Sequence, residues 1–238
     1  VGVLWHAASA EEEGPYFEAV IQGFKELGYV HGQNIVLEHR YPNEEPEKFR
    51  SMAAELVSLK PDVLLSVGGA ASAAAKNATT TIPVVFIVVP DPIGGKLVDS
   101  LAHPSGNITG LTNFGVQLVA KRLEYLKEIL PGRTRIALLV NPTFPATRKY
   151  IEENEGAAAK LGLTVQAFDV RSQDELDRAF DTMINARMQA VVVNAGGGFF
   201  QWRNIVAKLA LSRRLPICGY SREVLEAGAL ISYGPDQR

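Results

Sequence analysis

Lys60-Pro61-Asp62-Val63-Leu64-Leu65-Ser66-Val67-Gly68-Gly69 decides the fold, because it returns later as Met188-Gln189-Ala190-Val191-Val192-Val193-Asn194-Ala195-Gly196-Gly197. Each copy is a short apolar run ending in two glycines, the pattern of a parallel strand covered on both faces and entering a tight turn. The likeness extends outward in both directions. Val1-Gly2-Val3-Leu4 leads to a helical stretch ending Leu27-Gly28, and Arg135-Ile136-Ala137-Leu138-Leu139-Val140 leads to one ending Leu161-Gly162. Ile82-Pro83-Val84-Val85 likewise matches Leu215-Pro216-Ile217-Cys218. The expectation is two similar α/β lobes with a cleft between them, the usual place for a small ligand.

At 238 residues the chain is long enough for two domains with a core each. Hydrophobic residues at 47% and charged residues at 21% describe an ordinary globular protein rather than a disordered one. A net charge of −2 gives no electrostatic reason to expect a nucleic acid or an anionic membrane surface as partner. The single cysteine, Cys218, excludes an internal disulfide and a cysteine-based zinc site, and its apolar run reads as a buried small hydrophobe. No apolar run approaches the ~20 residues of a membrane span. Val1 already stands inside a strand with no initiator Met, which leaves room for an export signal upstream.

Strand signals fall near 1–5, 34–40, 62–67, 83–89, 135–140, 163–169, 190–194, 216–220 and 229–233, with helical segments between them. Phe17, Val20, Ile21, Phe24 and Leu27 form one amphipathic stripe, and Leu123, Leu126, Ile129 and Leu130 another. Gly28, Gly132 and Gly162 stand where helix C-caps are wanted, and Ser172-Gln173-Asp174-Glu175 has the form of a capping box. This alternation predicts an α/β fold of two doubly wound parallel-sheet lobes. The lobe boundary is expected in 104–118, where Pro104-Ser105-Gly106-Asn107 turns and Ile108-Thr109-Gly110-Leu111-Thr112 is extended. With a second crossing at 229–235, residues 1–111 and 234–238 make a discontinuous first lobe and 112–233 the second.

Open α/β sheets bind ligands at the carboxyl ends of their strands. Here those loops are His6-Ala7-Ala8-Ser9, Gly68-Gly69-Ala70-Ala71-Ser72, Pro90-Asp91-Pro92, Asn141-Pro142-Thr143-Phe144, Gly196-Gly197-Gly198-Phe199 and Tyr220-Ser221-Arg222. Several precede helix N-termini, whose free N–H groups favour anionic ligand groups; the plainer reading is that they cap helices and turn the chain. The glycine runs lack G-x-G-x-x-G spacing and a P-loop ending, so no nucleotide and no other cofactor is expected. His6, His31, His39 and His103 lack metal-ligand spacing, and a lone His6 at a strand end reads as ligand contact or as structure. Glu11-Glu12-Glu13 reads as a solvated helix start, favoured by the macrodipole. Asp91 is the one carboxylate framed by two prolines at a strand end, and no serine has a G-x-S-x-G setting. The chain does not read as an enzyme, and no catalytic or metal-ligating residue is expected. Trp5, Phe114, Phe144, Phe199, Phe200 and Tyr220 fall near loop mouths, where they stack on ligand or, for Trp5 and Phe200, fill the core.

These residues resemble the substrate-binding components of ATP-binding-cassette importers, in the group that includes tryptophan- and tyrosine-type binding proteins. The resemblance is carried by Gly2-Val3-Leu4, Gly23-Phe24-Lys25-Glu26-Leu27-Gly28-Tyr29, Asp91-Pro92-Ile93-Gly94, Gly106-Asn107-Ile108-Thr109-Gly110 and Ala227-Gly228-Ala229-Leu230. It implies a type I periplasmic-binding-protein fold whose lobes close on ligand about a hinge. A third hinge crossing would then lie beyond Arg238. The family's pocket loops fall on Ser9, Gly69, Ala70, Ala71, Asp91, Asn113, Thr143, Phe144, Gly197, Phe199, Tyr220, Ser221 and Asp236. The implied partners are a small-molecule ligand and the membrane permease; the protein is expected to be a monomer, periplasmic or lipid-anchored outside the cytoplasm.

Two departures bear on the ligand. Aromatic-amino-acid binders carry Val-Ser-Asp where this chain has Leu111-Thr112-Asn113, and Asp-Asn where it has Gly196-Gly197-Gly198. Fewer acceptors for an α-ammonium group imply a less cationic, aromatic or carboxylated ligand. Two other readings stand beside this one: a two-lobed Rossmann-like enzyme of racemase or sugar-nucleotide type, and the effector region of a repressor. A racemase of that shape commonly uses two opposed cysteines, and this chain has one.

Overall fold

The computed structural model describes residues 1–115, 118–144 and 146–235. The chain divides into two compact units, one formed by Val1–Asn113 and one from Phe114 onward. In the first, β1 (Gly2–Leu4), β2 (Glu38–Arg40), β3 (Leu64–Val67), β4 (Val84–Val89) and β5 (Ile108–Thr112) form a parallel sheet in the order β2-β1-β3-β4-β5. Its helices are α1 (Ala10–Glu13), α2 (Pro15–Glu26), α3 (Pro46–Ser58) and α4 (Gly69–Ala78). The two-residue period of β1 separates its side chains. Leu4 joins Leu56, Leu64, Phe86 and Ile108 in one core layer, while Val3 and Trp5 join Val67 and Phe17 in another.

In the second unit, β6 (Arg135–Val140), β7 (Thr164–Asp169), β8 (Ala190–Val193), β9 (Ile217–Gly219) and β10 (Ile231–Ser232) form a parallel sheet in the order β10-β9-β8-β6-β7. The helices are α5 (Val119–Ile129), α6 (Thr147–Leu161), α7 (Leu176–Asn185), α8 (Gly197–Gln201), α9 (Arg203–Ser212) and α10 (Arg222–Glu226). Taken from β7, the order β7-β6-β8-β9-β10 repeats β2-β1-β3-β4-β5 step for step. The sequence repeat is therefore a repeat of topology.

Several local expectations are refined. Ile108–Thr112, read as an extended connector, is the fifth strand of the first sheet, paired with β4. Ser172 opens a 3₁₀ turn without capping it; instead the Glu175 carboxylate accepts from the Arg171 N–H at 2.7 Å, one residue before a capping box would place it. Trp5 belongs to the core at 0% exposure, its Nε1–H donating to His39 Nδ1 at 3.0 Å and its ring stacked on Tyr41. Phe200 is buried as well.

Gly162 ends α6 in the left-handed region that glycine enters without cost. The residue following the C-cap of α3 is Lys60, exposed and at φ 50°, where a Cβ is strained. Lys60→Gly is therefore expected to raise unfolding stability by about 1 kcal/mol. A shift of the urea midpoint at constant slope would register it; a lowered midpoint would mean that the lysine stem contributes more than the strain costs.

Candidate functional site

Because both sheets are parallel, the carboxyl ends of their strands lie along one edge of each unit, and the loops leaving those strands gather there. In the first unit that edge is organised by a buried acid. Glu13, at 0% exposure, turns back from α1, and its Oε1 accepts from the N–H groups of His6 at 3.0 Å and Ala7 at 2.9 Å. Its Oε2 lies 3.2 Å from His6 Nε2, while Glu44 Oε1 lies 3.3 Å from His6 Nδ1. This corrects the reading of Glu11-Glu12-Glu13 as a wholly solvated start: Glu13 is a structural anion. It also assigns His6, both of whose ring nitrogens face carboxylates, to holding the loop. Burial opposes a charge on the ring, but the Glu44 hydrogen bond and the charges of Glu13, Glu44 and Glu12 outweigh it, so the His6 pKa is raised.

Ser9 caps α1, its Oγ accepting from the Glu12 N–H at 3.4 Å. Gly68 enters α4 at φ 84° beside the His6 ring, so the β1 and β3 loops meet. Gly69, Ala70 and Ala71 form the first turn of α4, and helix geometry leaves their N–H groups without an acceptor inside the helix. Gly69 is exposed, whereas Ala71 is part of the core. The Ser72 hydroxyl donates to the Gly68 carbonyl at 2.6 Å and accepts from Ser66 Oγ at 3.0 Å, which fixes this turn from below.

Before the β4 loop the backbone departs from a regular strand. Val88 sits at φ 58°, and the register against β5 shifts between Phe86 and Val89. A β-branched residue in that region is strained by about 1–3 kcal/mol and persists only because its surroundings fix it. Such a bulge re-aims the chain beyond it, here Pro90-Asp91-Pro92. Asp91 Oδ1 accepts from the Gly94 N–H at 2.8 Å, closing the turn. The Asn113 N–H donates to the Val89 carbonyl at 3.2 Å, holding the β5 end beside the same loop.

In the second unit the loops of β6, β8 and β9 converge on Gly196. The Phe144 ring lies where a Cβ on Gly196 would meet it at 3.3 Å, and the Tyr220 hydroxyl donates to the Gly196 carbonyl at 3.3 Å. Asn141 Oδ1 accepts from both the N–H and the hydroxyl of Thr143, which leaves Thr143 exposed on a fixed turn. Gly197 begins α8. Phe199 is core, 1% exposed and edge-on to Trp202; Tyr220 and Ser221 are also buried, and Ser221 begins α10 as its N-cap. Asp236 lies outside the described residues. Among those residues no group of three or more His, Cys, Asp or Glu is placed to hold a metal.

Sequence reasoning missed two elements of this arrangement. Glu44 lies just past the β2 edge strand and has no spacing signal toward His6. Arg122, inside an amphipathic helix, has no mark that distinguishes it from a surface cation, yet it is 1% exposed.

Two α/β units with the same parallel strand order, each gathering small, aromatic and helix-starting residues at one sheet edge, define the class of type I periplasmic binding proteins. The profile described as ABC transporter substrate binding protein matches residues 13–238, and the chain belongs to that family. It is 25% identical over 216 residues to the tyrosine-binding protein of Clostridioides difficile strain R20291, covering 91% of this chain and 62% of that protein. The chain thus spans less than two thirds of that relative's length. An ABC domain from Streptococcus pneumonia, solved in complex with L-Trp, superposes with a TM-score of 0.87 at 27% identity, covering 99% of this chain and 79% of that one. A conserved domain protein from Vibrio cholerae superposes with a TM-score of 0.91 at 25% identity, covering 99% and 78%.

Proposed function

We propose that this chain is an extracytoplasmic solute-binding protein of an ABC importer, delivering a small molecule to a membrane permease rather than transforming it. The family match over residues 13–238 carries this reading. The sheet-edge loops add to it: His6, Glu13 and Asp91, the acid–base candidates there, are engaged in holding turns. The ligand is proposed to be held by Ser9, Gly69, Ala70, Asp91, Asn113, Thr143, Phe144, Gly197, Tyr220, Ser221 and Asp236, with Ala71 and Phe199 behind them and capture completed by hinge closure. The lobes are proposed as residues 1–111 with 234–238, and 112–233; the protein is proposed to act as a monomer, in the periplasm or lipid-anchored outside the cytoplasm.

Relatives that bind tyrosine or carry L-Trp favour an aromatic ligand. The free N–H groups at the start of α4 suit a carboxylate. Asn113 in place of an aspartate, and the glycine run 196–198, remove anionic partners for an ammonium group. An aromatic carboxylate is the class these features favour. Isothermal titration of the protein with benzoate-type acids, L-Tyr and L-Trp is expected to give 1:1 binding, at least tenfold tighter for the acids. Tighter binding of the amino acids would overturn the ligand class; absence of binding, together with measurable turnover, would overturn the transport role.

A further inference from the structure

Among its described residues the second unit holds a buried positive charge without a counter-ion. Arg122 of α5 is 1% exposed, and a guanidinium is a cationic donor group with no acceptor of its own. Its Nε–H donates to the Tyr233 carbonyl at 2.7 Å. Among the described residues, Nη1 and Nη2 have no partner within hydrogen-bond geometry, a carboxylate included. The buried Tyr150 hydroxyl of α6 lies beside the Arg122 and Asn154 side chains, outside ideal hydrogen-bond geometry but near enough for both to act on it, and Cys218 of β9 is near enough to feel the charge of Arg122. Asn154, one turn beyond Tyr150, donates its Nδ2–H to the Tyr150 carbonyl at 2.8 Å and leaves Oδ1 unpartnered. Tyr150 and Cys218 belong to one apolar core layer with Leu123, Leu126, Leu138, Val140 and Val192.

An unpaired ion in such a layer is costly. The nearby proton donors could not become the counter-anion. Burial pushes the Cys218 thiol up to about 11 and raises the Tyr150 phenol too, despite the attraction of Arg122. The site offers a set of donors: the four Nη protons and the Tyr150 O–H. We propose that Arg122 and Tyr150 hold a small monovalent anion of chloride size between α5, α6 and β9. The anion neutralises the guanidinium that ties α5 to the Tyr233 carbonyl, and so stabilises the end of the second unit where β10 stops.

Two readings of the same protein test this. The first is the melting temperature at constant ionic strength, with chloride replacing gluconate, an anion too large to enter. It is expected to rise by roughly 3 °C between 5 and 500 mM chloride, and the rise should fall at least twofold in Tyr150→Phe, which keeps the charge and the fold but removes one donor. The second is a crystal soaked in bromide, expected to show an anomalous peak within hydrogen-bond reach of the Arg122 Nη atoms. A melting temperature indifferent to halide in the unmodified protein, or ordered water at Arg122 with no halide peak, would overturn the proposal. Neither result depends on a transported ligand, so they leave the solute-binding reading untouched.

Discussion

Gly110→Ala is expected to cost about 3 kcal/mol or more, a large fraction of a domain's stability. Gly110 lies in β5 opposite Phe86 of β4, beside the shift in register. A Cβ there would stand 2.0 Å from the Phe86 carbonyl oxygen and 2.6 Å from a ring carbon. Neither neighbour can withdraw. Phe86 is 2% exposed, and its strand is pinned on its other side through Leu64–Val84, Leu65–Val85 and Ser66–Phe86 pairs with β3. The tight approach is part of how β4 turns into the strained Val88 and then the Asp91 loop, so the variant should lose the site along with stability. Gly23→Ala, inside α2 with nothing within 4 Å of its Cβ, is the control and should gain about 0.5–1 kcal/mol. Urea unfolding of both separates a steric clash from a general effect of adding a methyl group; a Gly110→Ala midpoint equal to the parent's would refute the β4–β5 packing.

The second large effect is expected at Glu13. Glu13→Ala removes the acceptor of the His6 and Ala7 N–H groups and the carboxylate 3.2 Å from the His6 ring. Breaking a buried pair by deleting one partner costs about 3–5 kcal/mol. The same pair predicts a pH dependence whose sign is fixed by the raised His6 pKa. Across the window from the unfolded value near 6.5 up to the raised native one, the folded protein holds more protons than the unfolded chain. Stability is thus full below about 6.5 and declines as pH rises through that window. Urea midpoints between about pH 5 and 9 should show this decline in the parent and a flatter profile in His6→Gln. A profile that rises with pH would mean His6 is neutral in the native state.

The legibility of this protein in its sequence depends on the range of the interactions involved. The paired runs 60–69 and 188–197 are local patterns of apolar residues and glycines, and period and turn chemistry suffice to read them. They carried the strand–helix alternation, the two-lobed α/β class and the repeat, which the matched strand orders express in space. The resemblance carried on Asp91-Pro92-Ile93-Gly94 and Gly106-Asn107-Ile108-Thr109-Gly110 agrees with the family match.

Side-chain assignments at the sheet edges were less legible, because they depend on partners distant in sequence. Trp5 could be read as loop mouth or core until His39 and Tyr41 were placed against it. Glu13 looked like a helix-dipole residue, and only the return of the chain through Glu44 enclosed His6 between two acids. Arg122 has the spacing of any helical cation; its burial is settled by α6, β9 and the Tyr233 carbonyl 111 residues away. By itself the sequence determined which segments become strands and helices and that they come in two copies, since backbone preference and hydrophobic period act within a few residues. Only the tertiary structure decided which polar groups are enclosed and which face water, because desolvation is set by whatever packs above a group rather than by its neighbours in the chain.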